Sequence, residues 1–283
     1  MDGLIIINKP KGYTSHDIVN KIRKIYNTKK VGHTGTLDPN ATGVLPVLIG
    51  KATKLSEYLM EHDKTYIATI KLGEKTTTGD SEGEVIETKE VITLEKEIIE
   101  SALNSFLGKQ IQTPPMYSAI KVDGKKLYEY AREGKSIELP KREINIYNIK
   151  LENVENLEIR FEVSCSKGTY IRSLCEDIAT KLGTVGYMKE LTRIQVDKFT
   201  ISDSYTLEEL EKDKENIRII SVEEIFSDKE KVVFEQNKLV LFLNGGRIKI
   251  NTKDDVVRVY DEKNNFIGTA TVNNNILKRD III

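Results

Sequence analysis

Alternating apolar and polar positions predict several half-buried strands in this chain. Residues 64–72, KTYIATIKL, place apolar or aromatic side chains at every second position, and residues 157–165, LEIRFEVSC, do the same. A period of two residues is that of a strand with one buried face, which is typical of antiparallel sheets. Residues 3–12, GLIIINKPKG, instead contain an unbroken apolar run. That run predicts a short, fully buried strand that ends at Pro10.

Helical periods lie between these strands. In residues 14–26, TSHDIVNKIRKIY, the isoleucines recur on one helical face, and Thr14 with Asp17 forms a capping-box start. Further helices are predicted over 93–107, in the basic segment that closes 110–134, from the turn at Gly168 to Gly183, and from the capping box of Thr206 and Glu209.

Glycine, proline and charge mark the connections. Residues 32–47, GHTGTLDPNATGVLPV, are predicted to form a loop, and residues 110–134 open as a proline-rich loop. Residues 201–231 carry ten acids and five bases, which indicates a linker or a peripheral helix. The segments KLVLFLNGGRIKI and VVRVYDEKNNFIGTATV that follow have strand–turn–strand patterns. We therefore predict a main domain over 1–228 and a small β domain over 229–283.

Composition describes an ordinary globular protein whose charge is unevenly distributed. The chain has 283 residues, 39% of them hydrophobic, and a formal net charge of -1, so no overall nucleic-acid signature is present. Residues 1–60 hold nine basic and four acidic side chains, and residues 109–142 hold eight and four. If folding places these segments on one face, they could bind a polyanion; the alternative is a solvated surface.

Cysteine usage and apolar run lengths predict a cytoplasmic protein without metal. Cys165 and Cys175 do not form a CxxC pair, and only three histidines are present, which argues against a disulfide scaffold or a zinc site. The apolar run near the start is too short for a signal peptide, and no run approaches the length of a membrane span. We therefore expect a reducing compartment and no membrane partner.

The segment 32–47 matches none of the common phosphate, dinucleotide or calcium motifs. Gly50 and Lys51 are followed by Ala52 rather than the hydroxyl residue of a phosphate-binding loop, and Ile49 stands where a calcium loop needs an acid. An isolated carboxylate, Asp38, remains at its centre. It could be only a turn residue that bonds backbone amides.

Four strings in order resemble the TruB family of bacterial tRNA pseudouridine synthases, which convert uridine 55 in the T arm. They are NKPKGYTS at 8–15, VGHTGTLDPNATGVLPV at 31–47, KTY at 64–66 and SCSKGTYIRSL at 164–174. TPPMYSAIKVDGKKLY at 113–128 is also similar, and the likeness covers roughly residues 3–200. Residues 240–272 resemble the PUA domain, a small RNA-binding β-barrel, less specifically.

This resemblance implies an α+β fold. The family has a mixed, largely antiparallel sheet with flanking helices and a central RNA cleft, followed here by a small C-terminal PUA-like β-barrel domain. The expected partner is tRNA through its T stem-loop. Neither a cofactor, a metal nor an obligate protein partner is implied.

The resemblance also assigns roles to particular residues. Asp38 matches the catalytic aspartate, Tyr66 the tyrosine that stacks on the flipped base, and Arg172 the arginine that pairs with the aspartate. His33 matches a histidine that wedges into the RNA, Tyr170 matches the tyrosine of the family's TYIR element, and Leu191 matches an apolar residue at the pocket. Without the resemblance, His33 reads as a structural hydrogen-bonder, Tyr66 as a core aromatic and Arg172 as a surface or capping arginine. Candidate phosphate contacts are Lys9, Lys11, Lys121, Lys125 and Lys126.

The chemistry of the family fits an isolated carboxylate. Pseudouridine formation breaks the C1′–N1 bond, rotates the uracil and joins C5 to C1′, so no redox cofactor or activated donor is required. A carboxylate could attack the sugar carbon or remove a ribose proton, and either route needs it ionised. An apolar pocket would raise its pKa, and Arg172 would lower it.

Two other functions remain open at this stage. A non-catalytic tRNA-binding or tRNA-folding protein could use the same cleft without chemistry, although it would have no need of the carboxylate. A relative that depends on a guide RNA could share the motif, but the chain shows no long basic extension for such an assembly.

Overall fold

The computed structural model describes residues 2–92, 95–135 and 137–283. The strands are β1 (Gly3–Lys9), β2 (Val31–His33), β3 (Thr42–Ile49), β4 (Lys64–Leu72), β5 (Glu74–Thr76), β6 (Val85–Thr88), β7 (Gly108–Gln112), β8 (Lys121–Val122), β9 (Lys125–Lys126), β10 (Arg142–Glu155), β11 (Glu158–Cys165), β12 (Gly186–Val196), β13 (Phe199–Thr200), β14 (Ile220–Ser221), β15 (Lys231–Phe234), β16 (Ile248–Lys249), β17 (Val256–Asp261), β18 (Phe266–Asn273) and β19 (Ile276–Ile282). The helices are α1 (Ser15–Ile25), α2 (Ser56–Met60), α3 (Lys96–Asn104), α4 (Leu127–Arg132), α5 (Ile171–Lys181), α6 (Leu207–Lys212), α7 (Val222–Ile225) and α8 (Gln236–Leu243).

The main sheet is mixed and largely antiparallel, which confirms the expected fold class. Its order is β14-β1-β3-β12-β4-β11-β10-β7, with β2 paired to β3 and β13 paired to β12. The parallel pair in this sheet is β3 with β12, where Gly43 lies opposite Arg193. Gly43 has a φ of 99°, and a Cβ there would lie 2.2 Å from the carbonyl oxygen of Arg193. Only glycine allows the two strands to approach this closely.

The apolar run of β1 is buried on both faces of the sheet, as predicted. Ile5 and Ile7 pack in one core cluster with Ile18 of α1, and Leu4 and Ile6 lie in another cluster on the opposite face. Helix α1 begins at the predicted capping box, in which the Thr14 hydroxyl accepts from the Asp17 amide.

The predicted alternation of β4 and β11 is confirmed, with one exception. Tyr66, Ala68, Ile70 and Leu72 are all buried, and so are the alternate residues of β11 from Ile159 to Cys165. Leu157 was expected to share that buried face. It instead lies in the turn before β11 with a φ of 62° and an exposed side chain, because the chain reverses direction there to pair β10 with β11.

The prediction of a loop over 32–47 is wrong for its second half. Residues 42–49 form β3, whose apolar side chains are buried, so the irregular loop covers only residues 34–41. Gly43 is required by the close approach to β12. Because β2 pairs with residues 47–49 of β3, the missing N–H of Pro46 breaks none of these pairs. Neither residue therefore interrupts the strand.

Two other connections contain more structure than predicted. Residues 110–134 include β7 and a small β8–β9 hairpin before the expected basic helix α4. Residues 201–231, predicted as a linker or a peripheral helix, do contain the short helices α6 and α7. They are not peripheral, since β14 pairs with β1 and the side chains of Leu210, Val222 and Phe226 are buried. The predicted helix over 93–107 is confirmed as α3, although residues 93 and 94 lie outside the described residues.

The C-terminal part forms a five-stranded sheet in the order β15-β17-β18-β19-β16. The hairpin of β17 and β18 is confirmed, but the strand expected at the start of KLVLFLNGGRIKI is helix α8. Leu239 and Phe242 are buried three residues apart while Val240 and Leu241 are exposed, which is a helical pattern. No helix in the described ranges has the length and apolar character that spanning a membrane requires.

Candidate active site

One cleft gathers five of the residues singled out in the sequence. It has a volume of about 530 Å³ and opens beside the middle of the main sheet. Asp38 enters it from the loop before β3, Tyr66 from β4 and Leu191 from β12, and Tyr170 and Arg172 enter from the start of α5. These residues are far apart in the chain, and the sheet order β3-β12-β4 brings them together.

Asp38 and Arg172 form a two-point contact in the cleft. The Nε of Arg172 lies 3.1 Å from Oδ2 of Asp38, and its Nη2 lies 3.4 Å from Oδ1. The arginine side chain is only 7% exposed, whereas 37% of the aspartate side chain is open to the cleft. The guanidinium is therefore fixed inside the fold, and the carboxylate keeps surface that a substrate could reach.

Further contacts hold Arg172 from behind. Its Nη2 donates to the carbonyl oxygen of Tyr117 at 2.8 Å, and its Nη1 donates to that of Thr78 at 3.2 Å. Asp80 places a second carboxylate oxygen 3.6 Å from Nη1. Asp80 is itself fixed by the Thr78 hydroxyl at 2.6 Å and the Glu82 amide at 3.0 Å. The arginine thus lies between two carboxylates, of which Asp38 faces the cleft.

Burial raises the pKa of Asp38 above its usual range. The guanidinium of Arg172 opposes this shift, the carboxylate of Asp80 reinforces it, and the ammonium of Lys9 opposes it more weakly. Desolvation disfavours a charged carboxylate and a neighbouring cation favours it. Arg172 therefore offsets part of the cost of keeping Asp38 ionised in a sheltered site.

The loop that carries Asp38 is fixed by buried polar contacts. The hydroxyl of Ser15 accepts from the Leu37 amide at 2.9 Å, and the Nζ of Lys9 donates to the carbonyl oxygen of Pro39 at 3.0 Å. Lys9 also donates to Pro10 at 3.0 Å and to Tyr13 at 2.7 Å. Both residues next to Asp38 are therefore attached to the N-terminal segment.

These contacts contradict the prediction that Lys9 binds phosphate. Its side chain is completely buried, and its three donors are used by three carbonyl oxygens. Burial lowers the pKa of Lys9 to about 8. Lys9 is a structural residue that holds the loop carrying Asp38, and it has no free donor for a phosphate.

The other candidate lysines are on the surface. Lys11 and Lys121 are exposed, and Lys125 and Lys126 form the short strand β9 beside the cleft. Lys125 is paired with Glu133 and lies 4.9 Å from the ring centre of Tyr130, whereas Lys126 lies 5.4 Å from that of Tyr128. Tyr128 lines the cleft, so this hairpin borders its entrance.

His33 ends β2, two residues before Gly35, which lines the cleft. Burial, with the nearby charge of Arg193, lowers the pKa of His33, and its Nδ1 has no hydrogen-bond partner in the described part of the chain.

Tyr170 precedes α5, where the side-chain amide of Gln112 bonds both its N–H at 2.8 Å and its carbonyl at 3.0 Å.

Sequence reasoning missed Arg193, which lies beneath Tyr66. It is 1% exposed and donates from Nε to Val44 at 2.7 Å and from Nη2 to Gly35 at 3.2 Å. It faces Tyr66 directly in the β12–β4 register; burial raises the pKa of the Tyr66 hydroxyl, and the nearby charge of Arg193 opposes that shift. Its position two residues after Leu191 on one strand would have indicated a shared face.

Lys64 and Asp80 were also missed. The Nζ of Lys64 donates to the carbonyl oxygens of Met60, at 2.9 Å, and His62, and burial lowers its pKa to about 8. Lys64 is the first residue of the matching string KTY at 64–66, whereas Asp80 belongs to none of the matching strings. Within the described ranges, no group of three or more His, Cys, Asp or Glu side chains has an arrangement that could hold a metal ion.

This arrangement suits a planar base and its sugar. Tyr66 offers an aromatic surface and Leu191 an aliphatic one on neighbouring central strands, and Asp38 presents a carboxylate between them and α5. Such a cleft could accept a nucleotide that has left its stack, a movement that costs a few kcal/mol and is partly recovered by aromatic stacking.

Family models of pseudouridine synthases match most of the chain. The N-terminal domain of TruB family pseudouridylate synthases matches residues 23–171, the C-terminal domain of tRNA pseudouridylate synthase B matches 172–225, and a C-terminal domain of pseudouridine synthase II TruB matches 231–278. A protein of Clostridium kluyveri named tRNA pseudouridine synthase B is 48% identical over 95% of this chain and 94% of its own length. One of the same name from Clostridium novyi is 47% identical over 98% of each chain.

Solved structures show the same fold. A Cbf5–Nop10–Gar1 complex contains a chain that matches with a TM-score of 0.72 and 25% identity, over 99% of this chain and 83% of its own. A chain of an H/ACA ribonucleoprotein bound to a substrate RNA has a TM-score of 0.71 at 24% identity, over the same shares of the two chains. The fold and the cleft therefore define a pseudouridine synthase. Within that class, the chain belongs to the TruB family.

Proposed function

We propose that this protein isomerises uridine 55 in the T arm of tRNA to pseudouridine, with Asp38 as the catalytic carboxylate. The observation that carries the proposal is the carboxylate of Asp38, held 3.1 Å from the buried Arg172 in a cleft lined by Tyr66 and Leu191. The curated relatives named tRNA pseudouridine synthase B support the choice of tRNA as the substrate.

The reaction is balanced without any added reagent. The C1′–N1 bond breaks, the uracil turns in the cleft, and C5 bonds to C1′; C5 then loses its proton and N1 gains one. Asp38 acts at the ribose, either by adding to C1′ or by removing a ribose proton. Tyr66 stacks on the base, and its hydroxyl is the candidate acceptor of the C5 proton.

The surroundings of the cleft supply RNA binding in this proposal. Lys121, Lys125 and Lys126 on the β8–β9 hairpin contact phosphates of the T stem-loop, and His33 enters the RNA where the base leaves its stack. The unit over 229–283 acts as a PUA-like RNA-binding domain after the catalytic domain over 1–228. The protein works in the cytoplasm without an obligate protein partner.

The test is the release of tritium from a T-arm stem-loop labelled at C5 of the target uridine. Wild type is expected to release tritium without any other RNA, and Asp38→Asn is expected to bind the stem-loop without release. Tight binding by wild type with no release would favour the non-catalytic RNA-binding alternative. Release that needs a second RNA would favour a guide-dependent enzyme.

A further inference from the structure

The lining of the cleft includes a buried hydroxyl that no described residue bonds. Ser118 lines the cleft and is only 5% exposed, and its Oγ makes no hydrogen bond with any described residue. A buried polar group without a partner costs roughly 1–3 kcal/mol, so such groups are rare in folded proteins.

Both backbone groups of Ser118 are hydrogen-bonded, which fixes the backbone position from which this hydroxyl projects. Its N–H donates to the carbonyl of Met116 at 2.9 Å, and its carbonyl accepts from the Tyr128 amide at 3.1 Å. The preceding carbonyl, of Tyr117, accepts from Arg172 at 2.8 Å. Ser118 is thus attached through one peptide to the arginine that pairs with Asp38.

Several other buried hydroxyls of the described chain have hydrogen-bond partners. Ser15 bonds Leu37, Ser173 donates to Thr113 at 2.9 Å, and Thr76 donates to Asp80 at 2.7 Å. Two further buried hydroxyls, of Thr34 and Thr269, have none, and neither lines this cleft. The unused donor and acceptor of Ser118 therefore coincides with the place where the substrate must bind.

We propose that Ser118 is a substrate-positioning residue whose hydroxyl bonds the polar edge of the flipped uracil. This inference rests on the proposed function. Tyr66 and Leu191 supply surfaces for the two faces of the ring and leave its edge, with O2, N3–H and O4, to a polar group of the wall. A hydroxyl suits that edge because it can donate to a carbonyl oxygen or accept from N3–H.

The first experiment compares Ser118→Ala with Thr269→Val in the full-length protein. Both changes remove a buried, unpartnered hydroxyl, but only the first lies in the cleft; Thr269 is completely buried within the C-terminal sheet, where it cannot touch RNA. We expect Ser118→Ala to lower kcat/KM for tritium release by about tenfold without lowering the midpoint of thermal unfolding, and Thr269→Val to change kcat/KM by less than about twofold. Unchanged kcat/KM in Ser118→Ala, or a loss that follows a fall in thermal stability, would overturn the proposal.

The second experiment identifies the contacted part of the nucleotide. Binding is measured for two stem-loops, one with the target uridine and one with an abasic nucleotide at that position. Ser118→Ala is expected to weaken binding of the first and leave that of the second unchanged. Equal weakening of both would place the contact on the sugar or phosphate and refute the assignment to the base. If wild type releases no tritium at all, the proposed function fails instead.

Discussion

At the scale of single residues, the contacts of Arg172 explain why its shape matters as well as its charge. Its guanidinium reaches Asp38, Tyr117 and Thr78 at once, in directions that a planar fork supplies and an ammonium does not. Arginine at this position therefore both pairs the carboxylate and fixes the wall of the cleft.

We accordingly expect Arg172→Lys to lower kcat for tritium release by at least about 100-fold, or about 2.7 kcal/mol. Binding of the stem-loop should change far less, because the lysine keeps the charge. The control is Arg160→Lys, an exposed ion pair with Glu152 on the sheet, which should be neutral. An Arg172→Lys enzyme with normal turnover would show that the pairing geometry is unimportant.

The ring and the hydroxyl of Tyr66 can be separated by two substitutions. Tyr66→Phe keeps the stacking surface and removes the hydroxyl, whereas Tyr66→Ala removes both. If stacking contributes ~1–3 kcal/mol, Tyr66→Ala should bind the stem-loop about 5- to 150-fold more weakly than Tyr66→Phe. Direct measurement of both dissociation constants checks this, and equal values would contradict a separate stacking role.

The raised pKa of Asp38 has a consequence for the pH dependence of activity. Asp38 acts ionised, so kcat/KM should fall as the pH falls through the raised pKa of this group. The acid limb should therefore lie above the ordinary aspartate value of about 3.9. A profile of kcat/KM against pH tests this, and a limb at or below that value would contradict it. The same shift means that protonated Asp38 contributes fully to the free energy of unfolding below its ordinary pKa, and that this contribution is lost progressively as the pH rises from there through the raised pKa.

At this scale, motifs predicted the residues that face the substrate better than those that support them. Asp38, Tyr66, Tyr170, Arg172 and Leu191 all reach one cleft. Arg193 lies in the lining of the cleft next to Tyr66, and strand alternation from Leu191 was the only sequence signal for it. Asp80 contacts Arg172 from the side away from Asp38, and no string in the sequence indicated it. The role of Lys9 was predicted wrongly because a lysine beside a proline turn is ordinarily solvated. The three carbonyl oxygens that bind its ammonium group come together only in the folded chain.

At the scale of elements, period and length decided which predictions succeeded. Strands β4 and β11 alternate cleanly and were found, while the five consecutive apolar residues 239–243 fit either a strand or a helix and were assigned wrongly. Strand β3 was missed because glycine and proline are typical of loops. In the fold, Gly43 allows β12 to approach closely, and Pro46 lies outside the residues that pair with β2.

The junction of β3 with β12 gives a prediction at this scale. In Gly43→Ala the new Cβ would lie 2.2 Å from the Arg193 carbonyl, in a backbone conformation with φ 99°. We expect the free energy of unfolding to fall by about 3 kcal/mol or more, and activity to fall with it, because β3 leads directly from the Asp38 loop.

The control for this substitution is Gly183→Ala. Gly183 has a φ of 81°, and its Cβ would meet nothing within 4 Å, so only the cost of the backbone conformation applies. That cost is about 1 kcal/mol. Urea unfolding of both variants gives the comparison, and equal losses would show that the two strands can move apart easily.

At the scale of the whole molecule, a net charge of -1 means that attraction of RNA must be local. Lys121, Lys125 and Lys126 border the cleft, although the Glu133 partner of Lys125 reduces its free charge. Changing all three to Gln should weaken stem-loop binding and reduce the slope of log K against log salt by about 2.

The matched control changes two exposed lysines of the acidic α6 region, Lys212 and Lys214, to Gln. These residues do not line the cleft, so the salt slope should stay the same. Binding titrations at several salt concentrations distinguish the variants. An unaltered slope in the triple variant would show that the hairpin does not contact phosphate.

The packing of the C-terminal sheet against the main sheet also affects how the protein is made. Ile281 of β19 belongs to the same buried cluster as Leu4 of β1 and Leu55. A ribosome synthesises β1 long before β19. The cluster beneath β1 therefore cannot close until translation has passed Ile281, and until then the nascent chain carries an open apolar surface. Completion of this core is a late event in translation, and the growing chain must be protected from aggregation before it occurs.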